Sequence, residues 1–298
     1  VLKDILNRIP VEDINGVAVT GSGGKLLAGI MGISFINEVV AQSTATSVLH
    51  PEVKTIIEIG GEDSKLIMLE RDESSGKTNG NNGAGLKVSD FSMNTMCAAG
   101  TGSFLDQQST RIGVSIEEEF GKLALKSKNP PRIAGRCSVF AKSDMIHLQQ
   151  VGTEIHDIVS GLCYALTRNF KSNIGKGKEF VKPIAFQGGV AANKGIIKAF
   201  EDILELDEGE LIIPKYFNTM GAIGCAITLM EKGIDSRFRG FHEIETYLKN
   251  RKGKETNLKK LTCNNYEINI NSHILDTKCK VDVYVGVDVG SISTNVVV

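Results

Sequence analysis

Residues 54–69 read KTIIEIGGEDSKLIML, and this stretch decides the fold. Two apolar runs flank the four residues Gly60, Gly61, Glu62 and Asp63. Apolar runs of this length on either side of a short glycine-containing turn predict a β-hairpin. Because the two glycines carry no Cβ, the backbone amides of the turn can approach an anion closely, and either acid could position a water or a metal ion. An ordinary hairpin with solvated acids would have the same pattern.

Two other segments also put glycines directly after a short apolar strand. Residues 187–193 (QGGVAAN) close a strand and open a helix, and residues 286–291 (GVDVGS) join a strand to a Gly-Ser turn. The amides of such turns can hold phosphate, and the dipole of a helix N-terminus favours negative charge. Each segment alone is commonplace, but three in one chain support one another as contacts for a phosphorylated ligand.

The rest of the chain mixes strands with helices. Further strands are predicted at residues 16–20, 184–187 and 211–213, and helices at 34–49, 103–112, 116–125, 138–150, 153–174, 193–204, 219–230 and 241–248. Residues 71–87 are rich in Gly, Asn and Ser without periodicity, which predicts an exposed hairpin loop. This order predicts an α/β chain built from two lobes.

Composition limits the classes of function. The 298 residues are 41% hydrophobic and 23% charged, which is an ordinary globular balance. The net charge of −1 predicts no general attraction to nucleic acid or to an anionic membrane, and the apolar runs are too short to span a bilayer. The cysteines are widely scattered, so we expect reduced thiols in a cytoplasmic protein. They are Cys97, Cys137, Cys163, Cys225, Cys263 and Cys279.

Two segments each place a cysteine just before a helical pattern. Residues 94–106 read NTMCAAGTGSFLD and residues 136–144 read RCSVFAKSD. At such a position the helix dipole and a neighbouring Arg136 favour the thiolate, which is the form that binds metal. The spacing alone favours buried core thiols, the commonest place for a cytosolic cysteine.

Taken together, these two segments resemble the family of ATP-dependent activators of 2-hydroxyacyl-CoA dehydratases and benzoyl-CoA reductase, the BadF/BadG/BcrA/BcrD ATPases. The resemblance covers residues 1 to about 231. It implies the two-lobed, ribonuclease H-like α/β fold of actin, sugar kinases and heat-shock ATPases, with ATP or ADP and Mg²⁺ in the cleft. The implied catalytic residues are Glu62 and Asp63. The implied cofactor-binding residues are Gly60, Gly61, Gly100, Thr101, Gly102, Gly188, Gly189, Asn193, Gly221, Asp288, Gly290 and Ser291.

The resemblance also implies that Cys97 and Cys137 ligate iron. Since a [4Fe–4S] cluster takes four thiolates, two protomers would share one cluster in a homodimer. ATP-driven closure of the lobes would then pass a low-potential electron to a CoA-ester dehydratase or reductase. Two alternatives stay open at this point. One is a small-molecule kinase-like phosphotransferase of the same fold, and the other is a non-catalytic dimerising module.

The order of the motifs departs from that of a complete activator, which begins with its first phosphate hairpin. Here the hairpin of that type stands near residues 285–298. We therefore expect residues 1–231 to form an ATPase module with an incomplete first lobe, and residues 232–281 to be a linker. Residues 282–298 would open a second module of a long tandem activator, and could fold back to complete the first lobe. This departure leaves ATP hydrolysis by the chain open.

Overall fold

The structure is a computed structural model that describes residues 14, 16–71, 86–94, 98–233, 236, 241–253, 286–289 and 294–297. The chain divides into two compact units, Val1–Asn250 and Arg251–Val298. The strands are β1 (Ala18–Val19), β2 (Ser34–Phe35), β3 (Thr55–Ile59), β4 (Ser64–Arg71), β5 (Leu86–Asn94), β6 (Ile184–Gln187), β7 (Leu211–Ile212), β8 (Gly286–Val289) and β9 (Thr294–Val297). The helices are α1 (Gly24–Met31), α2 (Glu38–Leu49), α3 (Gly102–Ile112), α4 (Gly121–Ala124), α5 (Ser138–Gln150), α6 (Ile155–Asn173), α7 (Lys194–Leu204), α8 (Met220–Lys232) and α9 (His242–Gly253).

A five-stranded sheet in the order β5-β4-β3-β6-β7 forms the centre of the larger unit. Strands β3 and β4 pair antiparallel, which confirms the hairpin predicted from residues 54–69. Strands β3, β6 and β7 run parallel to one another. Because the carboxyl ends of parallel strands meet at one edge, the glycines that follow β3 and β6 come together there.

Apolar layers cover both faces of this sheet, as strand alternation requires. Ile57 and Ile59 belong to the main core with residues of α3, α6 and α7. Ile56 and Ile67 face the other way and share a cluster with Val39 of α2. The sheet is thus the middle layer of an α/β sandwich.

Around the smaller sheet the structure differs from the sequence-based prediction. The helix predicted at residues 34–49 is divided, because Ser34–Phe35 forms β2, which pairs parallel with β1. Helix α2 begins only after Asn37, whose Oδ1 accepts a hydrogen bond from the amide of Val39 at 2.9 Å and so caps the helix. Helix α1 was not predicted, since its glycines obscure the pattern of a short helix.

Helices α2 and α8 cross at very short distance. A Cβ on Gly224 of α8 would lie 1.8 Å from the carbonyl oxygen of Ala41 in α2, and Ala41 is fully buried. Since α2 joins β2 to β3, this crossing fixes the small sheet against the large one.

The predicted helix at residues 116–125 is also irregular, with a π-helical turn over Ile116–Phe120 before α4. In the C-terminal unit, β8 and β9 pair antiparallel in a two-stranded sheet, as the strand-turn-strand pattern predicted. Their return to the first lobe stays a prediction. Of the helices in the described part of the chain, none is long and apolar enough to cross a membrane.

Candidate functional site

Two cavities meet at Gly61, where the β3–β4 turn projects between them. The first has a volume of about 470 Å³, and its lining includes Gly61, Gly102, Gly189 and Asn193, all predicted from the sequence. The second has a volume of about 610 Å³, and the predicted residues that line it are Gly61, Glu62, Asp63 and Gly221. Cavities of this size can accommodate a nucleotide. The described part of the predicted site is thus largely gathered into one cleft.

The two glycines that follow β6 have different surroundings. Gly188 has a φ of +88°, and a Cβ there would lie 2.3 Å from the carbonyl oxygen of Ile59 and 2.9 Å from Oε1 of Glu58. A Cβ on Gly189 would have no neighbour within 4 Å, and Gly189 lines the first cavity. Gly188 therefore permits the close approach of β6 to β3, whereas Gly189 keeps the cavity open.

The amino end of α3 is fixed to the β3–β4 turn. The amides of Gly102 and Ser103 donate to the carbonyls of Gly60 and Gly61, each at 2.8 Å. The hydroxyl of Ser103 also donates to the Gly61 carbonyl at 2.6 Å. A Cβ on Gly102 would lie 3.0 Å from the Gly60 oxygen, so this junction favours glycine. The turn and the helix behind the first cysteine motif thus form one rigid connection.

Gly100 and Thr101, which were predicted to bind the cofactor, do not line either cavity. Thr101 is fully buried and donates its hydroxyl to the Ala98 carbonyl at 2.7 Å. Gly100 has a φ of +93°, and a Cβ there would lie 2.9 Å from Oδ1 of Asn169. Both residues shape the loop that leads from the cysteine motif into α3.

Several charged residues of the first cavity were not predicted. They lie on the turn at residues 116–122 and at the start of α7: Glu117, Glu118, Lys122 and Lys194. Sequence alone could not distinguish them from the solvated face of an amphipathic helix. A glycine inside the predicted helix, Gly121, was the sequence signal that could have marked this segment as part of the site. In the structure a Cβ on Gly121 would lie only 3.1 Å from Oδ1 of Asn193. Asn193 itself caps α7 by accepting from the amides of Gly195 and Ile196.

The second cavity contains an ion cluster that the sequence analysis missed. Lys65 on β4 forms ion pairs with Glu38 at 2.6 Å, with Glu58 at 2.9 Å and with Asp63 at 2.8 Å. Only Asp63 belonged to the predicted site. Glu58 and Lys65 are directly opposite each other in the β3–β4 hairpin, so the hairpin prediction implied their proximity. The approach of Glu38 depends on tertiary packing of α2.

Burial and charge act in opposite directions in this cluster. Burial raises the pKa of the Glu58 carboxyl, although the charge of Lys65 opposes the rise. Burial acts to lower the pKa of Lys65, but the charge of Glu58 and the hydrogen bonds to Asp63 and Glu38 outweigh it, so the pKa of Lys65 is raised. The ammonium therefore stays protonated throughout the physiological pH range.

Cys137 immediately precedes α5, as its motif predicted. It is half-buried and forms no disulfide, and its neighbour Arg136 is exposed. The approach to Cys137 is fixed by a hydrogen bond from the Ala134 amide to Oδ2 of Asp144 at 2.8 Å. A free, half-buried thiol at this place is available as an iron ligand.

Asn169 of α6 lies between the two cysteine motifs. Its Nδ2 donates to the Gly135 carbonyl at 2.5 Å, and its Oδ1 faces Gly100. Gly135 also approaches α6 closely, since a Cβ there would lie 2.2 Å from the Ala165 carbonyl oxygen. The loop before Cys137 and the loop after the first motif are thus held by the same side chain.

Some predicted site residues lie outside the described residues. These are Cys97, Gly290 and Ser291, while Asp288 lies in β8, of which the backbone alone is described. Among the residues that the structure does describe, no group of three or more His, Cys, Asp or Glu side chains could hold a metal ion. A thiolate-ligated cluster would therefore need a cysteine outside the described residues or a second chain.

Two solved structures have a similar fold. Component A of (R)-2-hydroxyglutaryl-CoA dehydratase from Acidaminococcus fermentans is 29% identical, with a TM-score of 0.67 over 78% of this chain and 82% of that one. The activator of 2-hydroxyisocaproyl-CoA dehydratase from Clostridium difficile, with bound ADPNP, is 28% identical, with a TM-score of 0.64 over 88% of this chain and 84% of that one. The chain thus has the fold of the actin-like ATPase activators, as predicted.

The sequence comparison is more specific. Residues 2–228 match the BadF/BadG/BcrA/BcrD ATPase family, and the chain belongs to this family. The 2-hydroxyisocaproyl-CoA dehydratase activator of Clostridioides difficile is 32% identical over 226 residues, which are 76% of this chain and 77% of the relative. The predicted family is therefore confirmed.

Proposed function

We propose that this chain is an ATP-dependent activator that passes a low-potential electron to a CoA-ester dehydratase or reductase. The observation that carries the proposal is the connection between the β3–β4 turn and α3. The carbonyls of Gly60 and Gly61 bind the first amides of α3, and the loop of residues 98–101 links α3 to the first cysteine motif. A shift of the turn on nucleotide binding would therefore be transmitted to that motif.

The cleft is the proposed site of ATP or ADP with Mg²⁺. Gly189 and the amino end of α7 would face the nucleoside in the first cavity, and Gly61 would approach the phosphates. Glu62 and Asp63 would position the attacking water or the metal in the second cavity. An activator with the same fold has bound ADPNP, which supports this assignment.

The proposed electron carrier is a [4Fe–4S] cluster ligated by Cys97 and Cys137 from each of two protomers. When bound, the cluster supplies a one-electron redox centre of low potential. The apolar side chains of Val139 and Phe140 lie on α5 beside Cys137, and Phe140 is 64% exposed. Exposed apolar side chains next to a ligand support a dimer interface at this place.

Anaerobic purification and reconstitution test the proposal. We expect a brown protein with about four irons and four sulfides per two chains, a dimeric mass by light scattering, and ATP-dependent stimulation of a CoA-ester dehydratase component in the presence of a strong reductant. A colourless monomer that transfers phosphate to a small molecule would instead identify a kinase of the same fold.

A further inference from the structure

Lys65 is unusual among the lysines near the cleft because its side chain is only 3% exposed. An ammonium has three N–H donors, and here three carboxylates lie within hydrogen-bonding distance of Nζ, those of Glu38, Glu58 and Asp63. No donor is left for a phosphate oxygen. Lys65 is therefore an internal counter-ion and not a phosphate ligand.

The acids of the cluster come from separate parts of the fold. Glu38 is the first residue of α2, Glu58 lies on β3, and Asp63 is in the turn between β3 and β4. All three line the second cavity together with Lys65. The side chains of Glu38 and Asp63 remain 25% and 27% exposed, whereas that of Glu58 is 9% exposed. Glu38 and Asp63 are thus the carboxylates that can reach a ligand.

The charges of the cluster do not balance. Three carboxylates face one ammonium, and burial of unbalanced charge is costly. Two polar atoms in the wall of the same cavity, Oγ1 of Thr20 and Oε1 of Gln42, are buried without a hydrogen-bond partner among the described residues. The cavity therefore offers oxygen atoms and negative charge to a polar, cation-bearing ligand such as the magnesium complex of ATP.

We propose that Lys65 is a positioning residue for ATP hydrolysis, a role that rests on the proposed nucleotide site. Its ammonium holds the carboxylates of Glu38 and Asp63 in place, directed at the phosphate end of the cleft. In hydrolysis a water oxygen bonds to the γ-phosphorus, the bond from that phosphorus to the bridging oxygen breaks, and the water gives up a proton. An ionised carboxylate of the cluster accepts that proton, and ADP leaves with the bridging oxygen.

The decisive variant is Lys65→Met, which keeps an unbranched side chain only one atom shorter and removes the charge. We expect kcat for ATP hydrolysis to fall about 100-fold, while ATP affinity by calorimetry stays within about threefold because Lys65 has no donor free for phosphate. The charge of Lys65 opposes the rise in the pKa of Glu58, so its loss raises that pKa further. The acidic limb of the kcat–pH profile should therefore move to higher pH.

Two comparison variants separate positioning from simple stability. Lys65→Arg keeps the charge and should recover much of the turnover, with the acidic limb near its original position. Lys87→Met removes the lysine of an exposed pair with Glu70 at 3.3 Å and should leave kcat and the profile unchanged. If Lys65→Met does not fold, Glu38→Gln takes its place, and it should likewise lower kcat while ATP affinity is kept.

The outcomes distinguish this inference from the proposed function. If the unaltered chain binds no ATP, the proposed function fails. If it binds and hydrolyses ATP but Lys65→Met, or Glu38→Gln in its place, keeps full turnover, the positioning role is wrong. If Lys65→Met lowers the melting temperature but leaves the kcat–pH profile unchanged, Lys65 has only a structural role and the inference is wrong.

Discussion

Gly188 and Gly189 are adjacent, yet their surroundings are different. The backbone of Ile59 leaves no room for a side chain at Gly188, whereas the space beside Gly189 is open. The sequence pattern of strand, two glycines and helix could predict that both glycines matter. The pattern could not predict that Gly189 and not Gly188 lines the first cavity, because that depends on how closely β3 packs against the residues after β6.

Gly189→Val tests the assignment of the first cavity to the nucleoside. The new side chain would project into open space that the ligand needs, so we expect ATP affinity to fall at least about tenfold, with melting temperature nearly unchanged. Isothermal calorimetry and thermal unfolding measure the two effects. Gly188→Val is the comparison, and it should destabilise the fold itself by about 2 kcal/mol or more. Unchanged ATP affinity in Gly189→Val would remove the nucleoside from this cavity.

Asn169→Ala tests whether this residue holds the loop before Cys137. Loss of Nδ2 leaves the Gly135 carbonyl without its 2.5 Å hydrogen bond, which costs about 1–3 kcal/mol at a buried site. We expect faster alkylation of Cys137 by iodoacetamide in metal-free protein, followed by mass spectrometry. Asn250→Ala, at an exposed position in α9, is the control. Equal labelling rates in both variants would contradict a positioning role.

At the scale of elements, local patterns were predictable and distant contacts were not. Helix α5 has the predicted bounds, and the β3–β4 hairpin lies where its glycines indicated. The helix predicted at residues 34–49 was wrong at its start, because pairing of Ser34 and Phe35 with β1 overrides local propensity. The partnership of Glu38 with Lys65 spans 27 positions and is set by packing of α2, which no local pattern encodes.

Gly224→Ala tests the crossing of α2 and α8. Alanine normally stabilises a helix relative to glycine by about 0.8–1 kcal/mol, but here its Cβ would meet the Ala41 carbonyl at 1.8 Å. We expect a net loss of about 1–3 kcal/mol in the free energy of unfolding, measured by urea denaturation. Gly29→Ala in α1 is the matched control, since a Cβ there has no neighbour within 4 Å. It should be neutral or stabilising, and a stable Gly224→Ala would show that the crossing can open without cost.

At the scale of the whole molecule, the family match ends at residue 228, before the C-terminal unit begins at Arg251. The strands of that unit were predictable from GVDVGS, because a turn between apolar runs is a local signal. Its origin in a second module, and its return to the first lobe, remain predictions because they depend on contacts between distant segments. The sharing of a cluster between protomers is beyond sequence patterns for the same reason, and rests on the need for four thiolates.

The last prediction concerns that shared cluster. Cys137→Ser removes one of the two thiolates that each chain would supply, so four ligands can no longer be assembled. After anaerobic reconstitution we expect iron and sulfide to fall more than about fivefold and light scattering to report monomers, with ATP binding retained. Cys97→Ser should behave in the same way.

The matched control is Cys225→Ala, because burial raises the pKa of the Cys225 thiol to about 11 and keeps it protonated. Cys225 packs with Ile36 and Ala41 in the apolar cluster beside the α2–α8 crossing. The control should therefore keep its iron and its dimeric mass, with at most a modest loss of stability. A Cys137→Ser protein with a full iron content would exclude Cys137 as a ligand. The electron path would then have to start elsewhere, while the ATPase cleft would stand unaffected.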